Sequence, residues 1–251
     1  MNIAIITGAS SGLGRAFFRR LVEKGPYVEQ IWLIARREER LTTMAEDCPI
    51  PVVTLPLDLT REESFETLEA RLREERPLVQ LLINNAGVGE LGNMADSDRP
   101  TQTRMVDLNC RAATAMIMAV LPYMGNGCGI INIASIAAFA PNARMTVYSS
   151  TKAYLLSLSR GLRMELKPRG IQVLAVCPGP MDTEFLDVAG ITGNSETFEK
   201  LPYCNAARVA AGALRACRRG RGVYTPRLFF KFYRLVAKVL PHDLVMRWAR
   251  T

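Results

Sequence analysis

Asn2-Ile3-Ala4-Ile5-Ile6-Thr7-Gly8-Ala9-Ser10-Ser11-Gly12-Leu13-Gly14 opens the chain and decides its fold. A short apolar run passes straight into a turn with three glycines and then into a helical segment. Continuous rather than alternating apolar residues suit a strand covered on both faces, as in a parallel sheet. The glycines let the backbone turn tightly, approach a pyrophosphate and seat the next helix close to the sheet. That helix offers free N–H groups and a positive dipole end to an anion. Gly8, Ser10, Ser11, Gly12, Leu13 and Gly14 are therefore the first candidate ligand contacts.

Outward from this turn the pattern repeats. Apolar runs recur at 31–35, 52–57, 79–83, 129–134 and 172–177, with a short last strand at 222–224. Helical composition fills 37–47, 61–76, 101–124 and 146–167 between them. Such alternation predicts an α/β fold, a doubly wound parallel sheet of Rossmann type with helices on both faces. Residues 179–204, with scattered Gly and Pro, read as a mobile loop rather than a packed element. No repeat or linker divides the chain, so residues 1–225 are expected to form one dinucleotide-binding and catalytic domain, and 226–251 an extension of it.

Gly8-Ala9-Ser10-Ser11-Gly12 also matches the G-x-S-x-G elbow of hydrolases. An elbow needs earlier strands and an oxyanion loop, and only seven residues precede Gly8. The single histidine, His242, lies far away in a basic tail, so the hydrolase reading fails.

Where an NAD enzyme carries an acid after its second strand, this chain has Ile34-Ala35-Arg36-Arg37. Two guanidiniums there suit the 2′-phosphate of NADP(H), which accepts forked hydrogen bonds, with Arg36 the stronger ligand of the two. Further along, Tyr148-Ser149-Ser150-Thr151-Lys152 puts a phenol and an ammonium one helical turn apart on a common face. A nearby cation is expected to bring the phenol's pKa down from about 10 and so make it a proton carrier for a carbonyl–alcohol interconversion. Of the seven tyrosines, only Tyr148 has Lys at the fourth following position.

The glycine turn, Asn84-Asn85-Ala86-Gly87 after the fourth strand, Ser135 before Tyr148, and Pro178-Gly179 after a later strand occur in order. As a set they resemble the short-chain dehydrogenase/reductase family, over Asn2 to about Thr183. The resemblance implies that Ser135 polarises the substrate oxygen and that Tyr148 transfers the proton. It implies that Lys152 also binds the nicotinamide ribose and that Asn109 completes the tetrad by holding a water. Asp58 and Leu59 would contact the adenine, and Asn85, Ala86 and Gly87 would line the adenosine ribose. Pro178, Gly179, Met181 and Thr183 would embrace the nicotinamide amide. NADP enzymes of the family often carry a basic residue within the glycine turn. Ser11 stands there in this chain, which leaves the preference for NADP(H) over NAD(H) to Arg36 and Arg37.

Ile136, Ala137, Ala138, Phe139, Met145, Phe185 and Leu186 are candidate substrate walls. They are apolar and suit a hydrophobic ketone or aldehyde better than a sugar phosphate. The expected function is an NADP(H)-dependent oxidoreductase, with a non-catalytic dinucleotide sensor or a peripheral membrane protein as alternatives.

Composition narrows the field. The chain has 251 residues, 49% hydrophobic and 22% charged, an ordinary globular balance. Six scattered cysteines without a CxxC pair predict reduced thiols and no metal site. With no basic leader before Asn2 and no long uninterrupted apolar run, a cytoplasmic protein is expected, with a place at the membrane periphery left open by its tail. The net charge of +8 is not spread evenly. Residues 215–251 hold ten Lys/Arg and one Asp, while residues 1–214 are nearly neutral, so the basicity does not imply nucleic acid. In that tail Arg227, Lys231, Arg234 and Lys238 alternate with Phe229, Phe232, Leu235, Val236 and Val239, the pattern of a basic amphipathic helix that Pro241 ends. Leu244, Val245 and Trp248 follow in a second short segment. Such a helix can cover the substrate pocket, pack in a homo-oligomer (dimer or tetramer), or lie on an anionic membrane.

Overall fold

A computed structural model of the protein describes residues 1–24 and 28–248, the side chain of Trp248 excepted. In chain order its elements are β1 (Asn2–Thr7), α1 (Gly12–Glu23), β2 (Gln30–Ile34), α2 (Glu38–Ala45), β3 (Val52–Leu55), α3 (Glu62–Glu75) and β4 (Leu78–Asn84). Then come α4 (Arg99–Val106), a π-turn (Asp107–Arg111), α5 (Ala112–Val120), β5 (Gly129–Ile133), α6 (Thr146–Leu166) and β6 (Gln172–Val176). The chain finishes with α7 (Glu184–Val188), α8 (Glu196–Lys200), α9 (Ala206–Arg218), β7 (Val223–Tyr224), α10 (Leu228–Val239) and α11 (His242–Trp248).

The strands are parallel in the order β3-β2-β1-β4-β5-β6-β7. Successive strand residues point to opposite faces, and here both faces are apolar. Ala4, Ile6, Leu33 and Ile83 pack with Phe17 and Leu21 of α1 and Val209 and Ala213 of α9. Ile3, Ile5, Trp32 and Leu82 pack with Phe65 and Leu68 of α3 and Met116 and Val120 of α5. This two-sided burial is why the strands read as continuous apolar runs. Strand order reverses at β1, which lies between β2 and β4, and such a switch opens a crevice beyond the carboxyl ends of the strands.

Arg99–Tyr123 is long and apolar enough, by length and composition alone, to cross a membrane. Its apolar residues Met116, Ile117 and Val120 are buried in the core beside the sheet, which is what a core helix requires.

Two stretches differ from the sequence reading. Residues 179–204 are not a structureless loop. They contain α7 and α8, and Leu186, Ala189 and Ile191 are buried in one cluster with Met145 and Tyr148. Helices of five residues carry too little periodicity to stand out. The tail helix forms, and most of its predicted apolar face turns outward, with Phe229 and Val236 at the edge of the cavity. Phe230 and Ala237 are buried, whereas Phe229, Phe232, Leu235 and Val239 are exposed. Within α10, the inward face is chosen by what lies beneath it. Phe230 fills the space above Gly179, where a β-carbon would come within 2.2 Å of its ring.

Candidate active site

The glycine turn is held by β4. The buried Thr7 Oγ1 accepts from the backbone N–H groups of Asn85 and Ala86, each at 3.0 Å. Asn85 Nδ2 donates to the carbonyls of Thr7 and Gly8, each at 3.0 Å. Asn85 thus positions the turn with its side chain. Gly8 has φ +63°, which favours glycine, and a β-carbon on Gly14 would lie 2.2 Å from the Gly8 carbonyl oxygen. Ser11 caps α1 without a side-chain bond to it, and the first turn holds no acid. The helix N-terminus therefore presents N–H groups that a pyrophosphate suits.

The proton-handling groups come from three elements. Ser135 ends the segment after β5, and its Oγ accepts from the Ala137 N–H at 3.1 Å. Tyr148 and Lys152 lie one turn apart on α6, both buried, and Lys152 Nζ is 5.6 Å from the Tyr148 ring centroid. Nζ also donates to the Ile133 carbonyl at 2.9 Å. Asn109 lies in the π-turn, an interruption often found at functional sites. Its Oδ1 accepts from Val88 N–H at 2.9 Å, and its Nδ2 donates to the Val88 carbonyl and to Thr151 Oγ1. Asn109 Oδ1 and Lys152 Nζ flank Gly87, where a β-carbon would lie 3.0 and 3.3 Å from them.

The electrostatics correct one expectation. Burial pushes the Tyr148 phenol up to about 12, opposed by a side-chain hydrogen bond with Ser135. Burial also pushes the Lys152 ammonium down to about 8. Desolvation outweighs the pairing of phenol and cation that the sequence suggested. At neutral pH Tyr148 is thus protonated, the form needed to donate to a carbonyl oxygen.

All four groups border a cavity of about 510 Å³ except Asn109, which stands behind Gly87 and Val88. Gly8, Ser10, Ser11, Gly12, Leu13, Arg36, Arg37, Asp58 and Leu59 line it, as do Asn85, Ala86, Gly87, Pro178, Gly179, Met181 and Thr183. Gly14 supports the turn from beneath rather than lining the cavity. Of the proposed substrate walls, Ile136, Ala137, Met145, Phe185 and Leu186 line it, but Ala138 and Phe139 do not. Phe139 instead packs under the tail, its ring centroid 6.3 Å from that of Tyr233 and tilted by 51°.

At the other end, partial burial opposes but hydrogen bonds from Thr60 N–H and Oγ1 prevail, and with Arg36 and Arg104 nearby they hold the Asp58 carboxyl below its usual range. Arg37 is engaged differently from Arg36. Its guanidinium donates to Ser10 Oγ at 3.1 Å and to Glu184 Oε2 at 2.9 Å. Arg40 meets the other oxygen of Glu184.

Sequence reading missed Glu184, Arg104, Ile191, Phe198 and the tail residues Phe230, Tyr233, Val236 and Val245, all of which line the cavity. The tail's periodicity signalled a helix, and covering the pocket was one of its open options. Glu184 lies 147 positions from its partner Arg37, a separation that leaves no local signal.

A family model described as short chain dehydrogenase matches residues 2–191. Sulfoacetaldehyde reductase 2 of Chromohalobacter salexigens is 36% identical over 190 residues, 73% of this chain and 74% of that protein. A short-chain dehydrogenase from Sphingobium yanoikuyae, solved in complex with NADPH, superposes with a TM-score of 0.81 at 32% identity, covering 100% of this chain and 97% of that one. The bulky-bulky ketone specific alcohol dehydrogenase from Comamonas testosteroni gives a TM-score of 0.76 at 30% identity, covering 96% and 95%. With its switch-point crevice, its glycine turn and its paired Tyr148 and Lys152, the chain belongs to the short-chain dehydrogenase/reductase family of oxidoreductases.

Proposed function

We propose that the protein reduces a hydrophobic ketone or aldehyde to its alcohol with NADPH, Tyr148 serving as the general acid. The observation that carries this reading is the convergence of Ser135, Tyr148 and Lys152 on one cavity whose other end is a glycine turn flanked by arginines. The cofactor fits the residues present, since the close-packed glycines leave a cradle that side chains would fill and the α1 N-terminus has no acid of its own. Gly8 to Gly14 would hold its pyrophosphate, Arg36 and Arg37 its 2′-phosphate, and Pro178 to Thr183 its amide. When bound, the nicotinamide supplies the hydride.

The chain's own groups do the rest. Ser135 and Tyr148 hydrogen-bond the substrate oxygen and orient it. Tyr148 passes its hydroxyl proton to that oxygen as negative charge develops there. Lys152 holds the ribose hydroxyls and stabilises the phenolate left behind, while Asn109 fixes the backbone at Val88 and positions a relay water. Phe230 and Tyr233 roof the cavity and exclude bulk water.

Beyond Tyr148 the wall is apolar: Met145, Phe185, Leu186, Ile191 and Phe198. Among the described residues Lys152 alone of the Lys and Arg side chains lines this end, which favours aliphatic or aromatic substituents over a sulfonate, phosphate or carboxylate. The Comamonas enzyme's ketone specificity points the same way. NADPH oxidation should be followed with bulky hydrophobic ketones, aldehydes and sulfoacetaldehyde. Turnover of the bulky carbonyls with little on sulfoacetaldehyde is expected, and the reverse order overturns the substrate assignment.

A pH dependence follows from Lys152. Its ammonium, at about 8 without cofactor, is charged below that value and neutral above it. If binding needs the charge, NADPH must bring a proton with it above pH 8. NADPH affinity should be flat below about pH 7 and fall by up to about tenfold per pH unit above 8. Titration by quenching of protein fluorescence checks this, and the same slope in Lys152→Met would rule the lysine out as its source.

A further inference from the structure

The tail helix uses only one side on its own domain. Phe230 and Ala237 are buried and Tyr233 packs against Phe139, which accounts for the inward face of α10. On the opposite side Leu228, Phe232, Leu235 and Val239 recur at helical spacing in one line, with exposures of 80%, 68%, 58% and 71%. A contiguous apolar stripe of this kind on a protein surface marks a binding face. Lys231 and Lys238, both exposed, run along one flank of it.

Charge decides what covers the stripe. No Asp or Glu occurs from Pro226 to Pro241, and residues 215–251 carry ten Lys/Arg against a single acid, Asp243. A second copy packed on the stripe would bring two basic helices together with no acid on either to neutralise them. An anionic lipid surface answers both features, taking the apolar side chains among its acyl chains and the lysines among its headgroups. The cavity lies at the stripe's edge, since Phe229 and Val236 of α10 both line it.

We infer that α10 is a docking surface for an anionic lipid bilayer, laid parallel to the membrane with Leu228, Phe232, Leu235 and Val239 inserted and Lys231 and Lys238 at the headgroups. The cavity then opens beside the interface, where lipophilic carbonyl compounds concentrate. This surface does not depend on the substrate or cofactor assignment, because it is read by binding alone.

The full-length protein should be tested by flotation with vesicles of phosphatidylcholine and phosphatidylglycerol in equal parts, and of phosphatidylcholine alone. Wild type is expected to float with the anionic vesicles and far less with the neutral ones, and to be released by high salt. Phe232→Glu/Leu235→Glu should lower the partition coefficient at least about tenfold. Lys231→Gln/Lys238→Gln should lower it about fivefold per lysine. Light scattering should give both variants the wild-type mass. No flotation of wild type overturns the proposal, and so does equal flotation of wild type and both variants. A smaller assembly in Phe232→Glu/Leu235→Glu, without flotation of wild type, shows that a second copy covers the stripe instead. If that variant fails to fold, the lysine variant, which changes only exposed side chains, decides alone.

Discussion

Tyr148→Phe is expected to lower kcat for carbonyl reduction by about 10²- to 10⁴-fold, the range over which a positioned general acid contributes. The ring survives in the variant, and with it the packing 5.7 Å from Phe185, so the cavity keeps its shape. Only the hydroxyl is lost, with its proton and its hydrogen bond with Ser135. NADPH affinity should change by less than about twofold, because this effect belongs to the transition state rather than to ground-state binding. Steady-state kinetics and fluorescence titration on the same preparation separate the two quantities. Retention of more than about a tenth of wild-type kcat would remove Tyr148 from the mechanism. A collapse of NADPH binding would assign it a structural part instead.

Arg36→Asp is expected to move the ratio of kcat/KM for NADPH over NADH by on the order of 10²-fold toward NADH. A charge-assisted hydrogen bond to phosphate contributes about 1.5–3 kcal/mol, and the introduced carboxylate adds repulsion against the 2′-phosphate. The same carboxylate gains a ribose hydroxyl to bind in NADH. Arg37→Ala should have the smaller effect. Its guanidinium is already engaged by Glu184 and Ser10, so part of any contact with phosphate is offset by bonds given up. An unchanged cofactor ratio in Arg36→Asp would place 2′-phosphate recognition elsewhere, with Arg37 and Arg104 the other arginines in the cavity wall.

What could be read in the sequence was local. Strands buried on both faces betray themselves as apolar runs, and the glycine turn stands directly after the first of them. Tyr148 and Lys152 are one helical turn apart, so their common face follows from the helix alone. The difficulties arose wherever a partner decides the outcome. Glu184 reaches Arg37 from a helix of five residues inside a stretch that looked structureless. Tyr148 was expected to be acidified by Lys152, but the desolvation that raises it comes from residues brought in by the loop and α7, including Phe185. In α10 the pattern showed two faces without showing which would turn inward. Gly179, fifty-one residues before Phe230, settled that by leaving room for one ring.

That contact has a thermodynamic consequence. Phe230 stands on the backbone at Gly179, within the segment proposed to embrace the nicotinamide, while the other side of its helix faces outward. Two sites joined through one rigid helix obey reciprocity. By whatever factor a filled nicotinamide site changes the grip of α10 on a surface, that surface changes the affinity for the dinucleotide by the same factor. Measuring vesicle partitioning with and without NADPH therefore also measures how far contact at the far side of α10 retunes the cofactor site.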